Sequence, residues 1–335
     1  MVVFEHRGRD FDEAAFRANG ALVAVVLNYN KRGLVAAAAR SALEQDWPCY
    51  EVLAMDDAST DGSDAELLET VRAWSAAHPG KAVRVRVVTN ETNRTTLGQW
   101  RQAAALSDGA WFGMFCGDDV SLPNRMKVAA ELIAAHPGAA GLCTNYFRGT
   151  TDELMHPVTR EREVLLGCSA FWPRRVLEAD LPRGTMDDFT LTWIARILHA
   201  GELVFAMDRA TVRYSVGTGV TTELMEGATT LGEKYRAILA RGRRFGRNVW
   251  EPIRAFDAKY GRDARLSREV RGWWVLSATE GGGWWTRLGA VWTILVADCA
   301  NDYGGRRREI VRTALGRFVT RFFGKWSFCL CHRFF

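Results

Sequence analysis

The sequence predicts an α/β protein, with a mainly parallel sheet flanked by helices and a helical C-terminal extension. Three observations predict it. Short apolar runs alternate with amphipathic helical stretches between residues 21 and 147, the pattern of strand–helix–strand units. In one unit the strand ends in Asp56-Asp57 and the helix opens through Ser59, Asp61, Gly62 and Ser63, which sets carboxylates at the carboxyl edge of a parallel sheet, where α/β folds bind ligands. Composition also shifts near residue 230. Residues 231–335 carry 21 Lys or Arg against 9 Asp or Glu, a net of +12, while 1–230 carry 23 against 30, a net of −7, so the two parts face different partners.

The elements follow in order. After an N-terminal arm, 1–20, come strand 21–28, helix 32–45 and strand 50–56. Helix 64–77 places Leu67, Leu68, Val71 and Trp74 on one face. Strand 83–88, a polar loop over 89–97, helix 98–107 and strand 110–116 continue the alternation. Helix 122–136 follows Pro123, is apolar at Met126, Ala129, Ala130 and Ile133, and stops at His136-Pro137-Gly138. Strand 139–147 closes this half. Residues 149–185 read as irregular apart from a short helix around 173–179. Helix 188–200 and strands near 203–206 and 210–215 follow, and from 230 the chain reads as helices broken by Gly-rich turns.

Three acidic pairs stand at element ends: Asp56-Asp57, Asp118-Asp119 after the run Trp111 to Cys116, and Asp187-Asp188 before the helical pattern from Phe189. Capping explains the small polar residues of the first turn without requiring two adjacent carboxylates. Any one pair alone reads as a solvated turn; the three together suit a cation, a polar ligand and a base.

The order and surroundings of these pairs resemble the family 2 glycosyltransferases of the GT-A fold. The resemblance runs from about residue 20 to 222. It is carried by Val25-Val26-Leu27-Asn28-Tyr29-Asn30-Lys31, by Met55-Asp56-Asp57-Ala58-Ser59-Thr60-Asp61-Gly62-Ser63, by Gly117-Asp118-Asp119 in the place of the metal-binding DxD motif, and by Asp187-Asp188-Phe189-Thr190-Leu191. Two departures stand out. Cys116 replaces the first Asp of DxD, and Arg213-Tyr214-Ser215-Val216-Gly217 lacks the His many members carry.

The resemblance implies a GT-A-like domain with a nucleotide-sugar-binding half over 21–150 and an acceptor-binding half over 151–230; the composition shift marks off a helical, basic and aromatic extension over 231–335. It implies an inverting transferase that moves a sugar from a nucleoside-diphosphate donor, UDP-sugar favoured, to a hydroxyl of a glycan or lipid-linked acceptor in cell-envelope polysaccharide synthesis. Asp57 suits the ring N–H donors of a nucleobase, and Tyr29, between Asn28 and Asn30, suits stacking on it. Asp118 and Asp119 are hard oxygen ligands for Mg²⁺ or Mn²⁺; Asp118 also belongs to the donor site. Arg94 and Arg101, flanking Gly98, add positive charge or else form a solvated helix end. Asp188 is implied as the general base, with Asp187 beside it. Trp172 is either an acceptor-stacking residue or core. A nucleotidyltransferase has similar needs but normally shows a Gly-rich, Arg-containing first loop. A catalytically inactive sugar-nucleotide-binding or scaffold subunit is the alternative from another class, favoured by Cys116 and the missing His.

Other motifs fail. The stretch from Asp57 to Gly62 opens like a calcium loop but has Leu68, not Glu, at position twelve. Cys329-Leu330-Cys331-His332 lacks a second half for a zinc site. No Walker loop and no GxGxxG follows the first strand. Seven scattered cysteines argue for a reducing compartment. Residues 1–20 hold no apolar core of a signal peptide, and no apolar run reaches the roughly 18 residues of a spanning helix; Leu288 to Ala297 reads as a buried helix. A cytoplasmic protein is expected, peripheral at the inner face of the membrane if the tail binds it. Within 306–323, Val311, Leu315, Phe318 and Phe322 recur at helical spacing among six arginines. That pattern suits an anionic membrane interface or a helix packed on the catalytic domain. Nucleic acid is not expected as a partner, because the main domain is acidic and no motif supports it.

Overall fold

The computed structural model describes residues 1–154, 167–179, 191, 195, 201–218 and 283–292. The chain divides into two compact units, one formed by Met1–Asp180 and Asp187–Val216 and the other by Leu181–Met186 and Gly217–Phe335.

The first unit is a mixed α/β sandwich on a nine-stranded sheet. Its elements are β1 (Val2–Arg7), α1 (Glu13–Ala18), β2 (Leu22–Asn28), α2 (Val35–Leu43), β3 (Tyr50–Asp56), α3 (Ser63–Ala77), β4 (Val83–Thr89), α4 (Thr95–Leu106), β5 (Trp111–Cys116), β6 (Val120–Ser121), α5 (Arg125–Ala135), β7 (Ala139–Arg148), β8 (Ala170–Pro173), α6 (Arg174–Leu177) and β9 (Glu202–Tyr214). Strand order is β1-β4-β3-β2-β5-β8-β7-β9-β6. The block β4-β3-β2-β5 is parallel throughout. Strands β2 and β3 are buried along their whole length, as expected for central strands covered on both faces, where continuous apolar runs replace alternation. Leu67, Val71 and Trp74 of α3 pack into the main core with Val35, Ala39 and Leu43 of α2, and Leu68 lies at its edge.

Four features depart from the sequence reading. The N-terminal arm contains β1, which pairs antiparallel with β4; its burial alternates with exposure because it is an edge strand. The segment 149–185 holds β8, a four-residue strand between β5 and β7. The two expected strands near 203–206 and 210–215 are one strand, β9, whose register with β7 shifts around Thr144 and Asn145. Helix 98–107 begins earlier, at Thr95. Most of the expected helix 188–200 lies outside the described residues; within it, Leu191 and Ala195 are buried.

Strand β8 also decides the fate of two residues. Trp172 is 0% exposed and pairs with Phe112 of β5. As a core side chain it has no free ring face to stack on a sugar, which corrects its reading as an acceptor-binding residue. Gly113 faces Phe171 across the same ladder, and a Cβ at Gly113 would collide with the Phe171 ring. A glycine in a strand interior often marks such a close approach. Gly113→Ala is therefore expected to destabilise the first unit by about 1–3 kcal/mol, the usual cost of overpacking a core, read as a lowered melting temperature. An unchanged melting temperature would contradict this packing.

In the second unit the described helix α7 (Trp284–Trp292) buries Ala290 and exposes Trp284, Trp285 and Trp292. It starts ahead of the expected buried helix at 288–297 and is not buried all round. No helix among the described residues is long and apolar enough to cross a membrane.

Candidate active site

The site forms where the parallel strands end. Asn28 closes β2 opposite Asp56 of β3, and Leu27 stands opposite Cys116 of β5. Because β3 and β5 flank β2, the acidic ends of both converge on the turn Asn28-Tyr29-Asn30.

Asp56 and Asp57 have different work. Asp56, 1% exposed, braces the edge. Its Oδ1 accepts from Asn28 Nδ2 at 2.7 Å and from Ser59 Oγ at 2.5 Å, and its Oδ2 from the Ser59 amide at 3.0 Å. Asn28 Nδ2 also donates to Ser63 Oγ at 2.9 Å, tying β2 to the start of α3. Asn30 completes the brace. Its amide donates to Ser59 Oγ at 2.9 Å and its Oδ1 accepts from the Thr60 amide at 2.8 Å. Asn30, Ala58 and Thr95 hold positive φ values of 53°, 61° and 65°. Such backbone persists where surrounding bonds over-determine it, commonly at functional sites. Asn28 and Asn30, the donor-binding candidates, both hold this loop.

Asp57 is set by a different element. Its Oδ1 accepts from the Arg94 amide at 2.8 Å and from Asn90 Nδ2 at 3.2 Å. Burial raises its pKa, and these two donors oppose that rise. Arg94 reaches Asp57 through its backbone, at the entry to α4, while its side chain is exposed. Arg101 lies half-buried nearly two turns into the same helix. Tyr29 is 38% exposed.

The second acidic end needs Gly117. Its amide donates to Leu27 O at 2.8 Å, and an added Cβ would lie 2.9 Å from Leu27 O and 3.1 Å from Asn28 Oδ1. This close turn presents Cys116, Asp118 and Asp119 together, with their ligand atoms within 4.8 Å of one another. Asp119 is 4% exposed. Its Oδ1 accepts from the Ser215 amide at 2.8 Å, whereas its Oδ2 is buried with no hydrogen-bond partner among the described residues. Burial pushes the Asp119 carboxyl up to about 7, and the neighbouring Asp118 charge adds to this. The same burial raises the Cys116 thiol well above its ordinary range. Two carboxylates and a sulfur that close, one oxygen of them orphaned, fit a divalent ion. Oxygen suits Mg²⁺ or Mn²⁺, and the sulfur in place of a third carboxylate lowers the charge of the set.

Three residues at this edge were not legible in the sequence. Lys31 Nζ lies 3.0 Å from Asp118 Oδ2. Arg125, 1% exposed, sits under Asp119. It donates to Ser121 Oγ at 2.8 Å and Met114 O at 2.5 Å, with its guanidinium 4.2 Å above the Phe115 ring. Tyr214 packs against Tyr146, and its hydroxyl pKa is raised by burial and by Asp119. Asp187, Asp188 and the tail 306–335 lie outside the described residues, as do Cys329, Cys331 and His332.

The family model for "Glycosyl transferase family 2" matches residues 23–197, more than half of the chain. The chain belongs to glycosyl transferase family 2. Among curated relatives of this family 2 chain are EpsE of Bacillus subtilis (strain 168), 26% identical over 119 residues, and y4gI of Sinorhizobium fredii, 28% identical over 171 residues. Those matches cover 35% and 49% of this chain but only 40% and 18% of the relatives, so the chain spans well under two thirds of either. Among solved structures, S. aureus TarS 1-349 in complex with UDP-GlcNAc superposes with a TM-score of 0.51 at 15% identity, covering 90% of this chain and 91% of that one. The mannosyltransferase PcManGT from Pyrobaculum calidifontis, in complex with GDP-Man and Mn2+, gives 0.51 at 16% identity, covering 90% and 88%. At such identities the likeness is one of fold, and the fold of this family 2 chain is GT-A.

Proposed function

We propose that this family 2 chain is an inverting glycosyltransferase that takes its sugar from a nucleoside-diphosphate donor, with a UDP-sugar favoured, and passes it to a hydroxyl of a glycan or lipid-linked acceptor. The observation that carries the reading is the pair of acidic strand ends on either side of Asn28-Tyr29-Asn30. Asp57, held by Asn90 and the Arg94 amide, is assigned to accept from the nucleobase N–H groups, and Tyr29, 38% exposed, to stack on the base. Asp118 and Asp119 would hold Mg²⁺ or Mn²⁺ against the diphosphate. When bound, such an ion neutralises charge on the departing nucleotide. That TarS is seen with UDP-GlcNAc and PcManGT with GDP-Man and Mn2+ supports the donor class. Asp188, with Asp187 beside it, is assigned to take the proton of the acceptor hydroxyl.

A thermal-shift screen of UDP- and GDP-sugars, with and without Mn²⁺, tests this reading, because a ligand that binds only the folded state raises its apparent stability. Stabilisation by a nucleotide sugar that EDTA removes is the expected result. No stabilisation by any donor would contradict it. A catalytically inactive binding subunit is the second reading, favoured by Cys116 in the place of an acidic ligand; it predicts donor binding without turnover.

We place the reaction in cell-envelope polysaccharide synthesis, at the cytoplasmic face of the membrane. The support is the tail 306–335, which carries eight Lys or Arg against one acid, Glu309, with aromatics interleaved. Deleting it is expected to abolish sedimentation with anionic vesicles, which in the full chain weakens at high salt as the charges are screened. If the full chain ignores anionic vesicles and the deletion instead lowers the melting temperature, the tail packs on the protein and the membrane placement fails.

A further inference from the structure

Lys31 leaves the turn after β2 with its backbone fixed and its side chain directed at the cation site. Its amide lies 3.4 Å from Ser63 Oγ at the start of α3, and Asn30 before it is bonded to Ser59 and Thr60. From that anchor Nζ reaches Asp118 Oδ2 at 3.0 Å, with the two side chains only 10% and 13% exposed. An ion pair so far out of water is stronger than one on the surface, where solvent screens it. Asp118 is also one of the three side chains grouped for a divalent ion. An ammonium and a divalent ion on one carboxylate repel each other. A cation arriving alone is therefore disfavoured while Lys31 stays on Asp118, whereas a nucleoside diphosphate brings new anionic oxygens to which a four-carbon stem can turn.

We propose that Lys31 is a built-in counter-ion that closes the cation site in the ligand-free protein and is drawn off Asp118 by the diphosphate of the donor, so that cation and nucleotide bind cooperatively. The inference rests on the proposed metal-assisted donor site and adds to it a residue that couples its two ligands. Coupling of this kind is reciprocal: whatever the nucleotide does for cation affinity, the cation does for nucleotide affinity.

Mn²⁺ binding, followed by the electron paramagnetic resonance of the free ion, tests the coupling without any turnover. It is measured alone and with UDP or GDP on the full chain, on Lys31→Met and Lys31→Gln, and on Lys31→Arg, with the Mn²⁺ that the nucleotide binds in the absence of protein measured separately and subtracted. The native protein is expected to bind Mn²⁺ weakly alone and about tenfold or more tightly with nucleotide, a factor that one lost partly buried charge contact can supply. Both neutral variants are expected to bind Mn²⁺ alone about tenfold more tightly than the native chain and to gain about tenfold less from nucleotide than it does, the remaining gain coming from the diphosphate oxygens on the ion itself. The arginine variant is expected to keep the native coupling. Two neutral variants are used so that misfolding of one, seen in its melting curve, leaves the other to decide. Native-like Mn²⁺ affinity and coupling in a folded neutral variant would overturn the counter-ion role and leave the cation site standing. Absence of Mn²⁺ binding by every form, with or without nucleotide, would overturn the cation site and the counter-ion role together.

Discussion

An Asp188→Asn variant is expected to bind donor like the native chain and to lose about 10²-fold or more in turnover, the usual scale for removing a general base. An amide keeps the size and polarity of the carboxylate but cannot accept the acceptor's proton, so the loss should fall on turnover and spare donor affinity. Asp187→Asn should lose less, because the family motif places the second carboxylate as the base. Nucleotide release measured beside donor affinity checks both; where an acceptor is lacking, hydrolysis of the donor gives the same comparison. An inactive Asp187→Asn with an active Asp188→Asn would reverse the assignment.

Asp119→Ala is expected to abolish the cation dependence of nucleotide binding. Its Oδ2 is buried without a hydrogen-bond partner among the described residues, and an unpartnered buried carboxylate oxygen is costly unless something positive meets it. A bound divalent ion would supply that partner. Calorimetric titration of UDP with Mn²⁺ and with EDTA should show a large difference in the native chain and none in the variant. Equal affinity under both conditions in both proteins would remove Asp118 and Asp119 from the role of ligands. Structurally the variant gives up the bond to the Ser215 amide and the carboxylate's interactions with Cys116 and the buried Arg125, so its melting curve is read beside the titration.

The parallel half of the fold was legible because each of its elements announces itself locally. Strands β2 and β3 are unbroken apolar runs, and α3 shows its buried face at helical spacing. Elements defined by their neighbours were not legible. Strand β8 has four residues and exists because β5 and β7 flank it; in isolation Phe171-Trp172 read as irregular chain, which left Trp172 open between a sugar and the core. Strand β9 read as two strands because its register shifts against β7. The site divides along the same line. Asp57, Asp118 and Asp119 stand at strand ends that the sequence marks with a run of apolar residues and a turn. Lys31 meets Asp118 only because β2 and β5 are adjacent in the sheet, and Arg125 is placed by Phe115 and Phe171, which come from other elements. The sequence left Asp56 without a role, and the resemblance gave the nucleobase to Asp57. Only the hydrogen bonds show that the first holds the loop while the second is held by Asn90 and the Arg94 amide.

The most direct test of the account follows the anomeric protons of a nucleotide-sugar panel by NMR, with the purified protein and Mn²⁺. Release of the nucleoside diphosphate from at least one donor, with the sugar first appearing in the configuration opposite to that in the donor, is the predicted result. A donor that binds but stays intact, or a sugar released first with its configuration retained, would contradict it.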